Sequence, residues 1–248
     1  MNKKYAFILA SLILFLVLIN FLSLTTFSIR EQKREKVVIS RIIDGDTLDL
    51  LDGRTIRLLN INSPEKGAFG HNLSTEFLKD FENKTVEIEI TGTDKYQRDL
   101  ARIYAPEYLN LKLVEQGFAS KFLVDESELG EFSKAEESAI KNSLGIWKKS
   151  SYFGCLDSEI DKIGEEVLII NNCPELDIAG WILKDESRKT YTFNNVKFEK
   201  IILHSGKGIN NLTDIFWQSG TNIWNNDRDS LYLFDSNGGI VEYESYGY

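Results

Sequence analysis

Residues 42–65 read IIDGDTLDLLDGRTIRLLNINSPE. Two strand-like apolar runs flank the turn Asp52-Gly53-Arg54. The same stretch places carboxylates at Asp44 and Asp46, a guanidinium at Arg57, a polar pair at Asn62 and Ser63, and a carboxylate at Glu65. A second arginine, Arg98, follows in TDKYQRDLA. Hard oxygen donors prefer Ca²⁺ or Mg²⁺, and arginine forks match phosphate oxygens in bidentate geometry. These residues therefore suit a phosphodiester held beside a divalent cation. Strict alternation from Arg57 would put Asn62 on the opposite face of a strand. A bend near Asn60, or a site at a barrel rim, is expected.

Around this stretch, VVISRIIDGDTLDLL and RTIRLLNI read as twisted strands. His71–Phe81 carries Leu73, Phe77, Leu78 and Phe81 at helical spacing. TVEIEI alternates as a half-buried strand does, and LARIYA is another strand. Leu109–Ala119 and Ser133–Lys148 read as amphipathic helices, the second with Ser133 as N-cap and Glu136 at the capping-box position. Strands closing on each other with helices outside describe an α+β fold, the five-stranded Greek-key barrel of OB type.

Three separated motifs resemble the staphylococcal nuclease (thermonuclease) family, whose pattern is D-G-D-T, then R-L-(x)₄-T-P-E, then D-K-Y-G-R-x-L-A. Here they are DGDT at Asp44–Thr47, RLLNINSPE at Arg57–Glu65 and DKYQRDLA at Asp94–Ala101. The likeness continues through YLNLKLVEQGFA and FSKAEESAIKNSLGIW, covering roughly Val37 to Lys149. It implies the same OB-type fold and a Ca²⁺-dependent nuclease acting on DNA or RNA with low sequence specificity. It implies that Asp46, Asn62 and Ser63 hold the metal, Ser63 through its backbone carbonyl. The family normally has a carboxylate at the second of these positions, so Asn62 is a departure expected to lower Ca²⁺ affinity. Arg57 and Arg98 match the phosphate-clamping arginines, and Glu65 the residue that orients or deprotonates the attacking water. Products ending in 3′-phosphate are implied. Lys95 and Tyr96 match residues lining the nucleotide site. The family's later tyrosine pair is missing, with Leu123 and Asp125 thereabouts.

The charge is uneven: residues 1–36 carry a net +4, residues 37–150 a net −5 and residues 151–248 a net −8. Neither folded region has the cationic footprint of a tight DNA-coating protein. Tyr5–Phe27 holds no charge and is long enough for a bilayer helix, which needs about 20 residues. It reads as a membrane anchor on a charged stalk ending at residue 36, with secretion after signal cleavage as the alternative. Residues 37–150 then form the barrel domain and 151–248 a second one.

After Ser150 short strand-like runs recur between turn residues, suggesting an all-β sandwich. AGWILKDESRKTYTF and IWNNDRDSLYLFDSNGGIVEYESY resemble the lamin-tail domain, an immunoglobulin-like sandwich, over about Glu165–Tyr248. Trp181, Trp217 and Trp224 read as packing residues. Cys155 and Cys173 are the only cysteines, a count that fits one disulfide and an extracytoplasmic location. His71 and His204 show no zinc-ligand spacing. Two other functions fit the same residues: an OB-type nucleic-acid-binding module whose chemistry has lapsed at Asn62, or a tethered protein whose sandwich docks an unknown partner.

Overall fold

Alternating apolar residues decide the first half of the chain. The computed structural model describes residues 34–174, 176–194 and 197–248. The stretch Tyr5–Phe27, expected to be an anchor, lies outside the described residues; among the described residues, no helix is long and apolar enough to cross a membrane. Lys36–Tyr248 forms one compact unit.

Strands β1 (Glu35–Ile42), β2 (Thr47–Leu50), β3 (Thr55–Leu58), β5 (Thr85–Thr93) and β6 (Asp99–Tyr104) close into a barrel in the order β1-β2-β3-β6-β5. A short pair, β4 (Ile61–Asn62) with β7 (Ser120–Lys121), stands beside it. Helices α1 (His71–Lys79), α2 (Leu109–Glu115) and α3 (Leu129–Lys141) pack outside. Ile39, Leu48, Ile56, Ile88 and Ile103 fill the interior together with Leu113 and Phe132 of the helices. The five-stranded OB-type barrel is thus present.

Two details differ from the pattern reading. The alternation of TVEIEI holds at Val86 and Ile88, but Ile90 is exposed and Glu89 is buried. The register shifts after Ile90, as a bulge does. Glu89 keeps the face opposite Ile88 and is buried there in an ion-pair cluster, accepting from Arg102 Nη1 at 2.9 Å while Arg102 also meets Asp125 and Glu128. Helix α3 starts a turn early, so Ser133 is not an N-cap but lies inside the helix. Its hydroxyl is buried without a partner, and Glu136 takes the backbone N–H of Lys121 instead, 2.9 Å.

The second half supplies β8 (Leu156–Asp161), β9 (Glu166–Asn171), β10 (Ile182–Asp185), β11 (Thr190–Thr192), β12 (Lys200–His204), β13 (Asp214–Phe216), β14 (Asp229–Phe234) and β15 (Ile240–Tyr246). They make two four-stranded sheets, β11-β10-β14-β15 and β13-β12-β9-β8. Trp181 and Trp224 are buried between them, with Trp217 packed alongside. These tryptophans are packing residues, as expected. Cys155 and Cys173 form a disulfide with Cα atoms 5.2 Å apart. Reducing it should lower the stability of the sandwich by about 3 kcal/mol, since the open loop spans 18 residues. Thermal melts with and without reductant check this, and an unchanged melting temperature on reduction would contradict it.

The two bodies share a buried seam. Trp147, Ile146 and Ile140 pack on Tyr232 and Ile240, with the Trp147 and Tyr232 rings 5.2 Å apart. Lys121, wholly buried, donates to Glu136 at 2.5 Å and to Ser230 Oγ and Tyr243 Oη at 3.1 Å. This seam fixes the β10–β11 hairpin against the barrel rim, where the candidate site lies.

Candidate active site

The Asp44–Thr47 turn makes the first wall. Asp44 Oδ1 accepts the Asp46 N–H at 3.0 Å, the local bond that aspartate favours in turns. Gly45 is required by space: a Cβ there would sit 1.9 Å from Ser74 Oγ and 2.7 Å from Ser63 Cβ. Asp44 is thus turn chemistry, and Asp46 is the side chain the turn aims inward. The expected bend is at Asn60, whose φ of 67° lies in the left-handed region. It separates β3 from β4 and brings Arg57 and Asn62 to one side.

Asp46 is almost fully buried. Its Oδ2 accepts the backbone N–H of Ser63 at 2.8 Å and the Ser63 hydroxyl at 3.0 Å. Its Oδ1 faces Arg57 Nε at 3.2 Å and accepts the Thr47 hydroxyl at 3.1 Å. Burial opposes ionisation, but Arg57, the Ser63 donors and Arg188 outweigh it and hold the carboxyl below its usual range. Asp44 is shifted the other way, by burial and then by the neighbouring charge of Asp46.

Arg57 is buried and its donors are committed. Nη2 donates to Ile61 O at 2.8 Å and Asn62 Oδ1 at 2.9 Å, and Nη1 donates to Leu58 O. Arg98 is held by Asp94, Nε to Oδ2 at 2.9 Å and Nη2 to Oδ2 at 2.7 Å, while Nη1 reaches Thr47 Oγ1 at 3.3 Å. Tyr96, exposed, lies under both Lys95 (5.0 Å) and Arg98 (5.4 Å). Glu65 is the exposed carboxylate of the group.

A residue absent from the motif reading completes the cluster. Arg188, in the turn between β10 and β11, donates from Nη1 to Glu65 and from Nη2 to both Asn62 Oδ1 and Asp46 Oδ2, the last at 2.9 Å. The adjoining Glu186 accepts the Leu123 N–H at 3.0 Å and, through its backbone carbonyl, the Asn62 amide at 3.3 Å. Nothing in KDESRK distinguishes these two residues from other turn charges. Only the folded seam brings Glu186 to Asn62 and Arg188 to Asp46.

Burial pushes the Glu186 carboxyl up to about 7. A carboxyl raised above its unfolded value, about 4.3, contributes most stability below that value and loses it as pH rises through about 7. Glu186→Gln should therefore raise the melting temperature at pH 8 and leave it nearly unchanged at pH 4.5, which paired thermal melts would read.

The sequence pattern implies Ca²⁺ here. Such an ion takes about six to eight oxygens. Asp46, Asn62 and Ser63 do come together, but Asp46 Oδ2 and Asn62 Oδ1 already accept from Ser63, Arg57 and Arg188. Two guanidinium groups stand where a dication would have to approach. The arrangement with Arg188 seated does not fit the ion.

The model of the family described as staphylococcal nuclease homologue matches residues 55–149. An endonuclease of Haemophilus influenzae, itself uncharacterized, is 34% identical over 130 residues, covering 50% of this chain and 72% of that protein. The thermonuclease of Staphylococcus intermedius is 30% identical over 130 residues, covering 46% and 77%. An uncharacterized endonuclease of Escherichia coli O157:H7 is 38% identical over 77 residues, 29% of this chain. The match spans half the length of that Escherichia coli relative. A closed OB-type barrel carrying the three motifs on one rim defines the class. The chain belongs to the staphylococcal nuclease family.

Proposed function

We propose that the protein is a nuclease that hydrolyses phosphodiester bonds of DNA, and of RNA, with low sequence specificity. The observation that carries this is a continuous chain of polar contacts at the barrel rim. It runs from exposed Glu65 through Arg188 and Asp46 to Arg57, and through Thr47 to Arg98. A phosphate at this rim meets fixed cations, which stabilise the charge gathered in the transition state more than that of the ground state. Arg98, part-exposed and stacked on Tyr96, receives a non-bridging oxygen. Water bonded to Glu65 passes its proton to that carboxylate as its oxygen bonds to phosphorus. The bond to the leaving sugar oxygen breaks, and that oxygen takes a proton from solvent. Arg57 does not meet the substrate in this scheme; it holds Asp46 and Asn62 in place. Lys95 and Tyr96 flank the nucleotide. Ca²⁺, when bound in such a family site, supplies charge to the phosphate; because the seated Arg188 does not fit it, no step here depends on the ion.

Residues 37–150 carry the chemistry in this reading, and residues 151–248 form a lamin-tail-like module. The likeness of AGWILKDESRKTYTF supports that part. The chain works from a membrane anchor at Tyr5–Phe27 with its folded part on an oxidising face, a reading supported by the apolar run and the Cys155–Cys173 disulfide. Incubating the purified full-length chain with labelled single- and double-stranded DNA and RNA tests the activity. Cleavage at many positions is expected; retention of the strands without cleavage would instead favour the nucleic-acid-binding reading.

A further inference from the structure

We propose that Arg188, delivered by the β10–β11 hairpin, is the resident cation of this site and takes the seat that the family pattern gives to a divalent metal. Its catalytic meaning rests on the nuclease reading above; its place as the bound cation does not.

Three side chains of the motif converge on this guanidinium: Asp46, Asn62 and Glu65. Two carboxylates then face two guanidinium groups, Arg57 and Arg188, so the contact set is neutral. A dication added to it would stand against two positive charges in a largely buried place, where screening is weak.

Asn62 belongs to the same arrangement. Its Oδ1 accepts from Arg57 and Arg188, and its Nδ2 donates to the Glu186 carbonyl at 3.3 Å. A carboxylate at position 62 has no proton for that carbonyl and would face it with negative charge. The departure from the family's carboxylate is therefore the complement of the hairpin. A monovalent cation beside an amide replaces a divalent cation beside a carboxylate.

The hairpin is held in place. Lys189 N donates to Asp185 Oδ1 at 2.7 Å, Ser187 Oγ to Asp185 Oδ2 at 2.6 Å, and Leu123 N to Glu186 at 3.0 Å. Arg188 itself sits at φ 76°, a region costly for a side-chain-bearing residue, and its Nε is buried without an acceptor. Such strain held by the surroundings is a mark of functional positions.

Arg188 also has what Arg57 lacks, an open edge. Its side chain is 29% exposed, against 10% for Arg57, and it adjoins Glu65, 67% exposed. Both line a cavity of about 500 Å³ that Ser63, Phe69, Lys184 and Asn237 help to wall. A phosphodiester oxygen entering there meets Arg188 on the side where Glu65 presents water.

The test uses the full-length chain with two independent readouts, the melting shift on adding millimolar Ca²⁺ and cleavage of a labelled oligonucleotide in chelator. The wild type should show no Ca²⁺ shift and should cleave in chelator. Arg188→Ala should cleave about 10²-fold slower or worse, with Arg188→Lys between the two. The pair Arg188→Ala with Asn62→Asp should acquire a Ca²⁺ shift. A wild-type Ca²⁺ shift that Asp46→Asn removes would overturn the proposal. So would wild-type cleavage abolished by chelator, a double variant without any Ca²⁺ shift, or Arg188→Ala cleaving as fast as or faster than wild type. The last result would make Arg188 a plug over the site. If the wild type cleaves nothing with or without Ca²⁺, the nuclease reading fails, and the melting shifts still decide whether Arg188 holds the cation seat.

Discussion

Arg98→Lys should reduce turnover by about 10²–10³ while leaving the melting temperature almost unchanged. Removal of one preorganised donor to developing charge costs about this much in other enzymes. Arg98 suits such a role because its fork is fixed before substrate arrives: Asp94 takes Nε and Nη2, and Thr47 takes Nη1 at 3.3 Å. A lysine ammonium cannot hold the planar double contact to Asp94 and also present donors toward a phosphate. The side chain is 28% exposed and lies outside the core, so its loss removes little packing. The loss should fall mainly on kcat, with a smaller change in KM, because the interaction strengthens as charge develops. Steady-state kinetics beside a thermal melt separate this outcome from simple unfolding.

The largest stability effect should come from the seam. Glu136→Ala should destabilise the fold by about 3–5 kcal/mol, the range for breaking a buried ion pair. Lys121 is completely buried, so the variant leaves its ammonium with the Ser230 and Tyr243 hydroxyls, the Tyr248 ring 4.1 Å away and the charge of Glu186, and with no directly bonded carboxylate among the described contacts. Burial opposes its charge, and the Glu136 carboxylate outweighs that and holds its pKa above the ordinary lysine value. Losing the carboxylate removes that compensation. For a chain of this size the melting temperature should drop by about 6–20 °C. Adding Lys121→Met to Glu136→Ala should recover part of the loss, since it removes the stranded charge while the backbone N–H at position 121 and the Tyr232 and Tyr243 hydroxyls stay without the Glu136 acceptor. Denaturant melts of the single and double variants read both effects.

The barrel was legible because its cues are local. Alternation marked Val86 and Ile88, and the clash between Arg57 and Asn62 in strand phase pointed to the bend found at Asn60. The motif order brought Asp46, Arg57, Asn62, Ser63 and Glu65 to one place. Ser133 misled because a hydroxyl three residues before a glutamate is a frequent capping pattern, whereas Glu136 was committed to Lys121 across the fold. Arg188 was invisible for the same reason on a larger scale. It meets Asp46 from 142 residues away, through a seam of single residues that no periodicity announces.

The most direct test of the account is single-turnover cleavage of an end-labelled oligonucleotide by the full-length chain, run beside Glu65→Ala and Arg98→Ala. The wild type should cleave at many positions, and both variants should be slower by about 10² or more at unchanged melting temperature. Absence of wild-type cleavage, or variants that cut as fast as wild type, would contradict it.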